Sequence, residues 1–198
     1  MSSSEDYTSI LKDRLRKSIE LKQKVLFDDD LMARLQNVVE ICLECYQEKK
    51  GTIFFAGNGG SAADAQHLAA ELVSRFYIDR PGLPAMALHV NTSTLTAVAN
   101  DYAYDQIFSK QLEAFAKAGD VFFGLSTSGN SANVVKALEY CRRKKVTTVG
   151  FTGETGGKMK ELCDVLINVA STDTPRIQEA HMNLGHTICE ILEARLFL

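Results

Sequence analysis

Thr52-Ile53-Phe54-Phe55-Ala56 carries apolar residues on both faces of a short run rather than at every second position. A strand built that way has no face for water, so it must be covered on both sides. Similar runs recur at Pro84-Ala85-Met86-Ala87-Leu88, Asp120 to Leu125, Val146 to Phe151 and Val165 to Val169. Helical periodicity fills the intervals: residues 61–76, 92–99, 104–117, 131–143 and from 174 onward. Buried strands separated by helices predict an α/β fold, with a doubly wound, mostly parallel five-stranded sheet flanked by helices.

Residues 5–27 and about 30–48 read as a helical hairpin ahead of that core. Asp28-Asp29-Asp30 supplies the N-cap and acidic first turn of its second helix, a capping role rather than a metal site. The hairpin is placed to pack on the domain or on another subunit. A chain of 198 residues fits a single domain, with 1–50 as the hairpin and 51–198 as the core.

The net charge of -3 gives no basic field for nucleic acid or an anionic membrane. No apolar run approaches a membrane span. The start, Met1 to Asp6, lacks a basic stretch followed by an apolar one, so no secretory signal is expected. The five cysteines are scattered and odd in number, which predicts reduced thiols and a cytoplasmic protein. Cys42 and Cys45 form a CxxC, but inside the helical run Leu31 to Gln47 and without a second pair, so no redox or zinc role is assigned to them.

Two loops directly follow strands. Gly57-Asn58-Gly59-Gly60-Ser61 follows the first, and Ser126-Thr127-Ser128-Gly129-Asn130-Ser131 the third. Hydroxyls and backbone N–H groups at a helix start can cradle an anion. Such residues also suit an ordinary capped turn; two such loops in one chain favour binding. The first loop lacks both the GxGxxG spacing and a following Gly-Lys-Ser/Thr, so a sugar phosphate fits better than a nucleotide.

His67 and Glu71 are four apart and share one helix face. Gln178, His181 and His186 lie on the last helix. Two imidazoles, a carboxylate and an amide oxygen suit zinc or another borderline divalent ion. Gln178 and His186 are separated by about 12 Å of helix rise, so one ion reaches both only through extended side chains or with help from a neighbouring subunit. His89 and His181 read as structural histidines.

In these segments the chain resembles the sugar isomerase (SIS) superfamily, and more closely its sedoheptulose-7-phosphate (phosphoheptose) isomerase family. The similarity runs through Gly57 to Ser61, Asp64-Ala65-Gln66-His67, Glu71-Leu72, Arg75-Phe76, Asn100-Asp101, Ser126 to Ser131, Thr152-Gly153, Gly156 to Met159 and Arg176-Ile177-Gln178-Glu179 with His186. Pro175 departs from the smaller or polar residue expected there in some members, and suits a first helical turn.

The resemblance implies an aldose–ketose isomerase converting D-sedoheptulose 7-phosphate to D-glycero-D-manno-heptose 7-phosphate, at the start of ADP- or GDP-heptose and lipopolysaccharide biosynthesis. It implies a homotetramer with active sites at subunit interfaces, and one Zn2+ per subunit at His67, Glu71, Gln178 and His186. Ser61, Ser126, Thr127, Ser128 and Ser131 would hold the phosphate. Asn58, Arg75, Asp101 and Thr127 would position the sugar, with Gly59, Gly60, Asn100 and Gln178 completing the binding set. Glu71 is the expected base at carbon and His186 its acid/base partner. The alternative is a non-enzymatic sugar-phosphate binder of the same fold that associates with the replication initiator. As expected for that relative, it lacks the carboxylate matching Glu71 and the imidazole matching His186.

Overall fold

The computed structural model describes residues 6–198. The reading of residues 1–5 as lacking a leader lies outside the described residues. Helix α1 (Thr8–Leu26) and helix α2 (Asp29–Gln47) form the hairpin. The Asp28 carboxylate accepts the Leu31 N–H at 2.8 Å, the capping role its position predicts. Then follow β1 (Ile53–Ala56), α3 (Gly60–Val73), β2 (Ala85–Ala87), α4 (Thr92–Asp101), α5 (Ser109–Phe115), β3 (Val121–Leu125), α6 (Ala132–Lys144), β4 (Thr147–Thr152), β5 (Val165–Asn168) and α7 (Thr174–Phe197). Single-turn 3-10 segments lie at Tyr104–Gln106 and Gly157–Glu161.

The five strands are ordered β2-β1-β3-β4-β5, and all four pairings are parallel. Strand residues divide by parity, as period-2 geometry requires. Ile53, Phe55, Val121 and Phe123 join the core beneath α1, α2, α3 and α7. Phe54, Ala56 and Phe122 join the opposite core, beneath α5 and α6. Each fully buried phenylalanine contributes roughly 1.5–3 kcal/mol, so Phe54 and Phe122, at 2% and 0% exposure, anchor the second face.

The strand order reverses between β1 and β3. Ligands in open α/β sheets bind beyond the carboxyl ends of the strands at such a switch point. Both Gly/Ser loops leave the sheet there, one from each of the two paired strands.

Two elements differ from their predicted extents. The helix expected over 61–76 stops at Val73, where Ser74 turns to extended backbone and the Glu71 and Leu72 carbonyls are met by a side chain described below. The helix expected over 104–117 breaks into a 3-10 turn and α5. There the buried Gln111 amide donates to Leu88 O at 2.6 Å and Ile107 O at 2.7 Å, fastening α5 beside the end of β2. In the hairpin, α2 is well buried while α1 buries only Leu21 and Val25. Ile10, Leu11, Leu15 and Ile19 are exposed along α1.

Candidate active site

The loop after β3 is tied to itself. Ser126 Oγ lies 2.9 Å from Ser131 Oγ and 3.5 Å from Ser128 Oγ, so three hydroxyls converge. Ser131 is the N-cap of α6 yet makes no capping hydrogen bond with its side chain, which turns toward Ser126 instead. Gly129 has φ +66°, and a Cβ there would stand 2.1 Å from Gly156 O, so only glycine fits. The Asn130 carboxamide oxygen accepts the Lys158 N–H at 3.1 Å, pinning the loop to the segment after β4. Thr127 and Ser128 line a depression of about 260 Å³ with Asn130, Glu154, Thr155, Ser171, Thr172 and Thr174.

The loop after β1 is held by a residue that the motif reading missed. Asn58 and Asn133 exchange amide hydrogen bonds at 2.9 and 2.8 Å. Asn133 is buried on α6, and its oxygen also accepts the Val134 N–H at 2.9 Å. Tyr104 donates to Asn58 Oδ1 at 3.2 Å. Ser61 is buried in the first turn of α3. Asn100 and Asp101 hydrogen-bond each other at 2.9 Å on the exposed end of α4. Arg75 is exposed in the segment that follows α3.

Helices α3 and α7 run side by side in the same direction. Gln178 sits against Gly60 and Gly185 against Leu68, while His186 meets His67 and Glu193 meets Phe76. The offset in number is nearly constant along the pair. A Cβ on Gly185 would be 2.6 Å from Leu68, so glycine at that position lets the helices approach closely.

This pairing assembles three groups. His186 Nε2 and His67 Nε2 are 2.9 Å apart, and Glu71 Oε1 is 3.0 Å from His67 Nε2 and 4.0 Å from His186 Nε2. All three donor atoms fall within 4.8 Å of one another. Donors around a tetrahedral ion with bonds of ~2.0–2.1 Å are spaced by ~3.3 Å, inside this range. Donor chemistry and spacing therefore fit a divalent ion of zinc type. The group faces a cleft of about 500 Å³ lined by Phe76, Tyr77, Asn183, Thr187 and Glu190 as well.

Gln178 does not join this group within one chain. Its amide packs against Gly60, level with the phosphate-type loop and about 12 Å of helix rise before His186. His181, one turn on from Gln178, is fully buried, and its Nε2 contacts Thr152 O at 3.0 Å. Burial pushes its imidazole down to about 4, against the opposing effect of the Thr152 carbonyl. On the same face of α3 as His67, burial lifts the Asp64 carboxyl to about 6, partly offset by His67.

Asn183, His186, Thr187 and Glu190 form one polar stripe at helical spacing on α7, a signal available in the sequence. Asn133, Tyr104, Phe76 and Tyr77 carry no such signal, since their roles arise only from tertiary contacts.

A parallel sheet with two hydroxyl and glycine loops at its switch point, and an imidazole–carboxylate cluster further along α3 and α7, defines a SIS-type sugar-phosphate protein. The SIS domain family matches residues 17–153. A phosphoheptose isomerase of Aneurinibacillus thermoaerophilus is 52% identical over 187 residues, covering 94% of each chain. Phosphoheptose isomerase 2 of Campylobacter jejuni is 50% identical over 193 residues, 98% of this chain and 96% of that one. The structure of a phosphoheptose isomerase from Neisseria gonorrhoeae superimposes with a TM-score of 0.88 at 40% identity, covering 96% of this chain and all of that one. The chain belongs to the phosphoheptose isomerase family of SIS-domain proteins.

Proposed function

We propose that this protein is an aldose–ketose isomerase that converts D-sedoheptulose 7-phosphate to D-glycero-D-manno-heptose 7-phosphate through an enediol, at the entry to heptose biosynthesis. The observation that carries the reading is the convergence of Glu71 with His67 and His186 from two helices, in a chain that also carries a hydroxyl-lined loop. Family membership at about half identity supports the same reaction.

Moving a proton between C1 and C2 needs a base at carbon and a second group serving the neighbouring oxygens. Glu71 is the base. Its Oε1 faces the imidazoles, which leaves the other carboxylate oxygen for carbon chemistry. His186, across the cleft on α7, relays the proton at oxygen. Ser126, Thr127, Ser128 and Ser131, with Ser61 and the backbone of Gly59 and Gly60, hold the phosphate at the far end of the sugar. Asn58, Arg75, Asn100 and Asp101 order its hydroxyls. Binding at the phosphate spends its energy on holding the reacting carbons in place.

His67, Glu71 and His186 would hold one zinc ion per subunit, and Gln178 of another subunit is the proposed fourth donor. Bound there, zinc supplies a Lewis acid for the substrate carbonyl. That sharing would require an oligomer, and the proposed homotetramer with sites at its interfaces would supply it; the exposed apolar side chains of α1 are consistent with such contacts. Five free cysteines, four of them buried, favour a reducing, cytoplasmic setting.

The test is turnover of sedoheptulose 7-phosphate by zinc-loaded protein, followed by NMR, with a chelated sample alongside. The expected result is aldose formation that chelation abolishes and added zinc restores. Saturable sugar-phosphate binding with no turnover in any sample would place the protein among regulatory binders.

A further inference from the structure

A buried ion pair lies behind the cleft and belongs to none of the groups assigned above. Arg80 Nε and Glu193 Oε2 are 3.0 Å apart, with side chains 2% and 3% exposed. Glu193 is on α7, beyond His186. Arg80 is in the segment between α3 and β2. The carboxylate is fully engaged. Its Oε1 accepts the N–H groups of Tyr77 at 2.7 Å and Ile78 at 3.1 Å, and its Oε2 also accepts that of Phe76 at 2.9 Å. The guanidinium is equally committed. Nη2 donates to Glu71 O at 2.9 Å, and Nη1 donates to Leu72 O at 2.7 Å and Pro81 O at 3.1 Å. Arg80 also lies over the Phe197 ring at 5.5 Å.

Two things are thereby fixed to α7. One is the end of α3, where Arg80 meets the Glu71 and Leu72 carbonyls that lack a helical partner, Leu72 O accepting the Leu83 N–H as well. Glu71 is in that turn. The other is the chain from Phe76 to Ile78. The Phe76 ring stands 6.0 Å from the His186 ring and 4.5 Å from the Tyr77 ring, and both aromatics line the cleft. A buried ion pair adds little net stability compared with apolar side chains of the same size. Stability alone is therefore a weak account of this one.

We propose that Arg80 and Glu193 are positioning residues for the isomerase site, holding the Glu71 turn and the Phe76–Tyr77 wall in register with His186. Neither touches the reacting atoms. The kinetic part of this inference rests on the isomerase reading; the part concerning the zinc-type cluster does not. Lysine at position 80 could keep the charge on Glu193. It has no planar fork with which to hold that carboxylate and the Glu71 and Leu72 carbonyls together.

Two variants of the full chain test the proposal. Arg80→Lys retains the charge. The double variant Arg80→Met/Glu193→Gln removes both charges, avoiding the orphaned buried ion that either neutralisation alone would leave. Each is measured for urea stability, for zinc affinity by competition with a chelator in the absence of sugar, and for kcat and KM on sedoheptulose 7-phosphate. Partners that orient metal ligands typically change affinity or activity by about 10–100-fold. The expected result is folded variants with zinc affinity and kcat each lowered by about that factor, and KM changed by less than about threefold because the phosphate contacts are remote. Folded variants with parental zinc affinity and kcat would overturn it. So would losses that only track the unfolded fraction, or failure of both variants to fold, since the pair would then be structural. If the parent binds zinc but does not turn over the sugar, the isomerase reading fails while zinc affinity still decides the role of the pair.

Discussion

The loop half of the site and the helix half are built in opposite ways. Ser126 to Ser131 is one contiguous segment shaped by its own hydroxyls, a left-handed glycine and the helix it starts, and fastened by hydrogen bonds to the residues after β4. The His67–Glu71–His186 cluster joins residues more than a hundred positions apart, and depends on the register of two parallel helices. The loop half is set by its own residues and the hydrogen bonds of its immediate neighbours, and the helix half by packing. It follows that the first should tolerate changes in the distant core, while the second should be sensitive to anything that shifts α3 against α7.

Perturbing each half should therefore leave a different kinetic signature. The largest effect is expected from Glu71→Gln, which keeps shape and removes the base. Turnover should fall by about 10²–10⁴-fold with KM little changed, since general acid–base groups contribute on that scale. Full activity in steady-state assays of this variant would remove Glu71 from the mechanism. Ser128→Ala should act on the other side, raising KM by about 10–100-fold through loss of a charge-assisted hydrogen bond of roughly 1.5–3 kcal/mol. An unchanged KM would take Ser128 out of the phosphate site.

Away from both halves, His181 links α7 to the end of β4 through Thr152 O. Its folded pKa of about 4 lies below the ordinary 6.5, so the unfolded chain binds the proton more readily. The stability this contributes is complete above about pH 6.5 and is lost as pH falls toward 4, by about 3 kcal/mol at most. Urea unfolding at pH 7 and pH 5 should show the loss, and His181→Asn should flatten it. A slope equally steep in that variant would assign the pH dependence to other groups. The smallest effect is expected from Asn133→Ala. It leaves one Asn58 amide unpaired and should cost about 1–3 kcal/mol in thermal or urea unfolding. Neutral stability would mean that Asn58 finds another partner.

This contrast also explains what could be read from the chain before folding. The strands, the sheet type and both loops were legible because each is a local pattern: continuous apolar runs, glycine and hydroxyl clusters, helical periodicity. His67 and Glu71 were legible as a pair because they sit four apart on one helix. Their union with His186 rested on donor chemistry and on family resemblance, since spacing alone cannot reveal the offset of two helices. The sequence grouped Gln178 with that cluster, whereas the offset sets it level with Gly60. Asn133 was not legible, because an asparagine early in a helix normally reads as a solvated residue. Arg80 and Glu193 were missed for a related reason: charged residues near chain turns look like surface until packing buries them.

The central claim is that Glu71 carries a proton between neighbouring carbons of one sugar phosphate held at its other end by the loops. The most direct measurement is the reaction of sedoheptulose 7-phosphate with the zinc-loaded protein in deuterated water, with the aldose analysed by NMR. Glu71 is partly exposed in an open cleft, so its proton exchanges with solvent. The account predicts aldose carrying solvent deuterium at C2 to the extent that the Glu71 proton exchanges before it is returned, and no aldose from Glu71→Gln. Aldose formed equally well by the variant would contradict it.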